Sequence, residues 1–218
     1  MGASAYNQIE HWIDQIPHTT AIEIGASGIG SRENSTQWFI DYFANSAFNF
    51  VSVDTDQTII DSVASYVASA GLDNIIAHCG DYTSLDVNDI SFAYLDNYDY
   101  PPPGNERDRW FIDLCIEYTL RGKELTLENS AQAHLEQAKW VHTRSADQCV
   151  IIFDDTFDVT ECTAYATALK RNKYPKTGMY GKGMTAVPWL LHNGWQILPK
   201  AITPRDDWVI VGKGLTQT

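Results

Sequence analysis

The stretch AIEIGASGIGSRENST, residues 21–36, decides how the rest of the chain is read. Its first four residues are an apolar strand end, interrupted only by Glu23, and Gly25, Gly28 and Gly30 then open a loop before a helix at about Ser35. A strand running through glycines into a helix is the start of an open α/β sheet with a ligand at the turn. The dinucleotide form of that turn is G-x-G-x-x-G running straight into the helix, and here Ser27 stands at the second glycine. The helix also waits for Ser35 or Thr36, whose hydroxyls are suited to cap its free amides.

Working outward, the same alternation continues in both directions. An amphipathic helix at 5–16 places Ile9, Trp12, Ile13 and Ile16 on one stripe, and Pro17 stops it. After the first strand (20–24), helix 35–45 carries an apolar face of Trp38, Phe39, Tyr42 and Phe43. Strand 48–54, helix 58–69, strand 75–78 and strand 90–96 follow in turn. The segment ISFAYLD is apolar on both faces, as a central parallel strand must be. Helices at 109–118 and 130–143 lead to strand QCVIIFDD (148–155), and helices at 160–171 and 185–193 precede a closing hairpin, 195–199 with 208–212. The predicted fold class is α/β: a single doubly wound, mostly parallel seven-stranded sheet with helices on both faces and a C-terminal antiparallel hairpin. No repeat or linker divides the chain, so residues 1–218 read as one domain, with an N-terminal helix in 1–18 and substrate-side loops at 97–129 and 172–184.

Composition narrows the function. Fifteen basic against 28 acidic side chains give a formal net charge of −13, which repels nucleic-acid phosphates and anionic membranes. No apolar run reaches the roughly 20 residues that span a bilayer, and the N-terminus carries no export signal, so a cytoplasmic location is expected. Cys79, Cys115, Cys149 and Cys162 are scattered without a CxxC, as in a reducing compartment.

Ligands of such sheets bind beyond the carboxyl ends of the strands. Those ends carry Glu23 and Gly25, Asp54, Asp96, and Asp154 with Asp155; Asp81 follows the third strand. Aspartate at any one strand exit is ordinary turn chemistry, but its recurrence at successive ends is not. In order and spacing, EIGASG, VSVDTD, GDYTSL, AYLDNYDY and IIFDDTF resemble class I S-adenosylmethionine-dependent methyltransferases, most closely small-molecule enzymes of the FkbM-like and catechol-type groups. The resemblance covers residues 20–157 and extends to the final hairpin. It implies S-adenosyl-L-methionine as cofactor, held by Glu23, Gly25, Ala26, Ser27, Asp54, Thr55, Asp81, Tyr82 and Asp96. Asp54 would accept hydrogen bonds from the ribose hydroxyls, and Asp81 would meet the adenine amino group or simply cap the turn at Gly80.

The catechol-type resemblance further implies that Asp96, Asp154 and Asp155 hold Mg²⁺ or another divalent cation, with Asp96 and Asp155 catalytic; hard oxygen ligands suit that class of ion. In the alternative, Asp96 orients the substrate and Asp155 caps the next turn. The lysine base of those enzymes, three residues after the first aspartate, is replaced by Asp99. Asp96, Asp99, His134 and His142 are all left as bases. Tyr94, Tyr98, Tyr100 and Trp110 are expected as an aromatic wall or as core. Tyr180 and Lys182, in TGMYGKGM, are expected over the pocket or in a plain connection. The expected activity is methyl transfer to an oxygen or nitrogen of a small molecule or sugar, without nucleic-acid or membrane partners and with a homodimer left open. The other readings are a non-catalytic S-adenosylmethionine-binding partner subunit and an NAD-dependent oxidoreductase, the latter disfavoured by Ser27.

Overall fold

Alternating side chains on five central strands build two separate cores, one on each face of the sheet. The structure, a computed structural model, describes residues 3–30, 34–100, 109–160, 178–200 and 208–215. In chain order its elements are α1 (Ala3–Ile13), β1 (Thr20–Ile24), α2 (Ser35–Phe43), β2 (Asn49–Asp54), α3 (Gln57–Ala70), β3 (Ile75–Cys79), β4 (Ile90–Leu95), α4 (Arg109–Leu120) and α5 (Leu127–Arg144). They continue with β5 (Ser145–Phe153), β6 (Thr156–Asp158), β7 (Met179–Gly181), α6 (Ala186–His192), β8 (Gln196–Ile197) and β9 (Val209–Lys213).

Ala21, Phe50, Phe92, Tyr94, Val150 and Ile152 point to one face, where Ile9 and Trp12 of α1, Phe39, Ile40 and Phe43 of α2 and Val63 and Val67 of α3 cover them. Their strand neighbours Ile22, Ile24, Val51, Val53, Ala93, Leu95, Ile151 and Phe153 face the other way, onto Ala138 and Val141 of α5 and Ala186, Val187 and Leu190 of α6. β4 is buried at all six positions, which accounts for its uninterrupted apolar sequence.

The seven-stranded sheet has the order β3-β2-β1-β4-β5-β9-β8. β1 to β5 are parallel to one another, while β9 runs antiparallel to β5 and to β8. The sheet therefore matches the α/β architecture expected from the sequence. The order of laying down strands reverses at β1, with β2 and β3 to one side and β4 and β5 to the other, so the switch point lies between the ends of β1 and β4. There the Asp96 amide donates to the Ile24 carbonyl at 3.0 Å.

Local differences from the expected boundaries have local causes. α1 ends at Ile13, and residues 14–16 continue as tighter turns, Gln15 N–H to Trp12 O and Ile16 N–H to Ile13 O. The N-cap of α2 is Asn34, whose Oδ1 accepts the Gln37 amide at 2.9 Å; Ser35 and Thr36 are already inside the helix. β5 begins three residues earlier than expected, and its pairing with β4 is irregular between Ile90 and Phe92. The helix expected at 160–171 lies outside the described residues. A short antiparallel pair, β6 with β7, was not expected from the sequence.

Candidate active site

The turn after β1 is locked by close backbone approach. Gly25 has φ +100°, and a Cβ placed on it would overlap the backbone nitrogen of Asn97 and lie 2.7 Å from the Asn97 Cα and Cβ. Only glycine satisfies both the left-handed backbone and that contact. The Gly25 and Ala26 amides both donate to Val53 O, at 2.9 and 3.3 Å, pinning the turn to β2. Beyond it, Ser27 N–H donates to Thr36 Oγ1 at 2.7 Å and Ser27 Oγ to Asn34 Oδ1 at 3.0 Å, while Asn34 Nδ2 donates to Gly28 O. Two of the amides a phosphate would use, those of Ser27 and Gln37, thus already have side-chain partners.

Glu23 is fully buried under this turn and is not on the wall of the two cavities described below. Its Oε2 accepts Ser52 Oγ–H at 2.7 Å and its Oε1 accepts Ser35 Oγ–H at 3.2 Å, so it ties β2 to the start of α2. Burial raises its pKa to about 7, against the lowering effect of its hydroxyl donors Ser52, Thr36 and Ser35. Its side chain lies beneath the loop, bonded inward to Ser52 and Ser35.

Two adjoining cavities cross the strand ends. The larger, about 310 Å³, is lined by Gly25, Ala26, Ser27, Asp54, Thr55, Asp96 and Asp99, with Tyr118 and Arg121 closing it. The second, about 210 Å³, runs on to Gly80, Asp81, Tyr82 and Gln137. Asp54, Thr55, Asn97, Tyr98 and Lys123 line both. Asp54 Oδ1 accepts the Asp56 amide at 2.8 Å, which orients the carboxylate at the end of β2; burial raises its pKa. Asp81 caps the turn Tyr82–Ser84, its Oδ1 accepting both the amide and the hydroxyl of Thr83, which lowers its pKa. It nevertheless stands on the wall of the smaller cavity.

At the ends of β4 and β5 the structure places a residue that sequence reasoning left in a loop. Lys182, fully buried, directs its Nζ to Asp96 Oδ1 at 2.6 Å, Asp155 Oδ2 at 2.9 Å and Asp99 Oδ1 at 3.2 Å. The β6–β7 pair carries it there, registering Thr156 with Gly181. Gly181 has φ +96°, and a Cβ on it would overlap the carbonyl oxygen of Asp155. Burial pulls the Lys182 pKa down, but attraction from Asp155, Asp96, Asp99 and Asp154 outweighs this and holds it well above its ordinary value. Several carboxylates face this single ammonium. Burial raises Asp96 well above the usual carboxylate range against the pull of Lys182, and the negative charge of Asp154 and Asp155 adds to it.

The metal set expected from Asp96, Asp154 and Asp155 is not assembled. Asp154 turns into the protein, its Oδ2 accepting Tyr94 Oη–H at 2.5 Å and its Oδ1 accepting the Asp155 amide at 3.0 Å. Lys182 stands between the other two carboxylates. Among the described residues no group of three or more His, Cys, Asp or Glu side chains is arranged to hold a metal ion. The donor set therefore does not fit a divalent cation.

Neither of the two histidines considered as bases lines these cavities, although the charges of Lys182 and Asp155 act on His134. His134 is buried, its Nδ1 donates to Ser130 O at 2.8 Å, and burial drives its pKa down to about 3, so the ring stays neutral. His142 accepts from Trp195 Nε1 at 2.9 Å at the far end of α5 and lines neither cavity. Of the aromatics, Tyr94 belongs to the core and Tyr100 packs with Phe157 and Tyr180, leaving Tyr98 on the cavity wall; the Trp110 side chain lies outside the described set. Tyr98 and Asp155 are two of the three non-glycine residues with positive φ among those described, at +59° and +45°. Strained backbone of this kind gathers where the surrounding structure must aim functional groups.

No protein-family model and no curated protein sequence matches the chain. Solved structures do match. An O-methyltransferase from Bacillus cereus, in complex with SAH, superposes with a TM-score of 0.54 at 13% identity over 97% of this chain and 81% of its own. TomG, an O-methyltransferase from Streptomyces achromogenes involved in tomaymycin synthesis, in complex with SAM, gives 0.51 at 14% identity over 98% and 80%. The fold is that of the class I S-adenosylmethionine-dependent methyltransferases.

Proposed function

We propose that this chain binds S-adenosyl-L-methionine across the ends of β1, β2 and β3 and transfers its methyl group to an oxygen or nitrogen of a small molecule. The observation that carries this reading is the cavity at the switch point, lined by Gly25, Ala26, Ser27 and Asp54, beside the close packing of Gly25 on Asn97. A sulfonium cofactor without a pyrophosphate suits a loop whose Ser27 and Gln37 amides are already engaged. When bound, the cofactor supplies an already activated methyl group, so the protein's task is alignment and exclusion of water.

In this reading Asp54 receives the ribose hydroxyls, Thr55, Tyr82 and Asp81 border the adenine, and Gly25, Ala26 and Ser27 flank the methionine portion. Asp96 and Asp99 face the acceptor side. A net charge of −13 keeps polyanionic acceptors away and favours a small molecule. Calorimetric titration with S-adenosylmethionine and S-adenosylhomocysteine tests the proposal: saturable binding is expected, and no heat at millimolar cofactor sinks it. Asp54→Ala should weaken binding about 10- to 100-fold, the worth of a charged hydrogen-bond acceptor.

A further inference from the structure

We infer that Lys182 is a built-in counter-cation: its ammonium holds Asp96, Asp99 and Asp155 together in place of a divalent metal, and the site neither needs nor admits such an ion. The inference rests on the reading of this cavity as the methyl-transfer site. One ammonium stands 2.6, 2.9 and 3.2 Å from three carboxylate oxygens, donating a hydrogen bond to Asp96 Oδ1 and pairing as an ion with Asp155 and Asp99, and it also reaches the Asp96 carbonyl oxygen at 3.4 Å. A magnesium or calcium ion would instead need six or more oxygens converging on it. Here Asp154 already has partners on both oxygens, in Tyr94 and the Asp155 amide, and the position between Asp96 and Asp155 is filled by a positive charge.

The arrangement is built rather than incidental. Two glycines flank Lys182, and both are required by space: Gly181 lies against the Asp155 carbonyl, and a Cβ on Gly183 would come within 2.9 Å of Thr156 Cγ2. The Lys182 amide donates to Asp155 O at 3.2 Å and the Gly183 amide to Thr156 Oγ1 at 2.8 Å, so backbone as well as side chain is tied to the end of β5. Lys182 itself is sealed from solvent and lines neither cavity, whereas Asp96 and Asp99 do line one. It is therefore a positioning residue. The acceptor meets two carboxylates that take hydrogen bonds from a hydroxyl or amine, and a pair of oxygens able to chelate a metal confers no advantage.

The test uses Mn²⁺ as probe, followed through the electron paramagnetic resonance of the free ion, on the full chain. Wild type is expected to show no saturable site up to several millimolar, and Lys182→Arg, which keeps the cation, to behave alike. Lys182→Met removes the charge while retaining the length of the side chain. It should gain a single Mn²⁺ site at least about 100-fold tighter than any wild-type binding, as expected when a repelling charge within a few ångströms is removed. Circular dichroism confirms that the variant is folded; should it not fold, wild type and Lys182→Arg decide the matter between them. Stoichiometric Mn²⁺ binding by wild type overturns the inference, and so does a folded Lys182→Met with no site. Cofactor affinity measured in parallel with and without EDTA should be unchanged. Absence of any cofactor binding would refute the proposed function alone, since the Mn²⁺ titration reads the carboxylates directly.

Discussion

Gly25→Ala gives the sharpest test of the cavity. The substitution forces an L-residue to φ +100° and sets a methyl carbon into the backbone of Asn97. The backbone conformation costs about 1–3 kcal/mol, and relieving a core-like overlap costs about 1–3 kcal/mol more, for a total of about 2–6 kcal/mol. In a domain of this length each kcal/mol lowers Tm by about 2–4 °C, so a fall of about 4–24 °C is expected. Relief of the overlap must move either the turn or Asn97, and Asn97 lines both cavities. S-adenosylhomocysteine affinity should therefore drop by at least about 30-fold, the equivalent of 2 kcal/mol. Gly30→Ala is the control: φ there is +93°, but nothing lies within 4 Å of the added carbon, so only the backbone cost applies. Calorimetry and differential scanning fluorimetry on both variants read the outcome. A Gly25→Ala protein with wild-type Tm and affinity, or a Gly30→Ala protein damaged equally, would refute the reasoning.

Other expectations follow from the same geometry. Glu23 is pushed up to about 7 by burial, so its carboxyl is neutral in the folded protein below about pH 7 and ionised in the unfolded chain above its ordinary value of 4.5. Its contribution to stability is therefore full below 4.5 and declines as pH rises through 7, by about 3 kcal/mol in all. Glu23→Gln should remove that part of the slope, as measured by urea denaturation between pH 4.5 and 8; parallel wild-type and variant curves would refute it. Gly181→Ala, clashing with the Asp155 carbonyl, should displace Lys182 and lower Tm, whereas an unaltered melting curve would show the β6–β7 pair to be unnecessary. Phe39, fully buried with ring centroids 4.9 Å from Tyr94 and 5.5 Å from Phe92, should cost about 3–5 kcal/mol on truncation to alanine in chemical denaturation.

The sheet was legible because each of its core strands either alternates apolar side chains between two cores or is apolar throughout, and because glycine or aspartate ends it. Asp54, Asp81 and Asp96 could be placed at the carboxyl edge for the same reason. Other features depend on tertiary partners and left weaker marks. Glu23 sits in a strand whose other residues are apolar, and only Ser52 and Ser35, one distant in sequence, show that it bonds inward. Asp154 and Asp155 are adjacent and chemically alike, yet Asp155 takes positive φ and meets Lys182 while Asp154 meets Tyr94. β6 and β7 have three residues each, too few for any period, and a lysine between glycines reads equally as a cover over the pocket or as a plain connection. The available signal was steric: Gly181 and Gly183 bracket Lys182, the spacing of a backbone that must approach another closely.

Lys182 lies 86 residues beyond Asp96, so the carboxylates and the cation that offsets them come from distant parts of the chain, which suggests an order of assembly to be tested. Strands β1 to β5 can pair before the segment bearing Lys182 is in place, but their carboxyl edge then gathers Asp96, Asp99 and Asp155 with no ammonium to offset their repulsion. Docking of β7 against β6 supplies that charge. The last folding step should thus be electrostatically driven, slowed by added salt in stopped-flow refolding of wild type and insensitive to it in Lys182→Met. Completion of the site and completion of the fold would then be the same event.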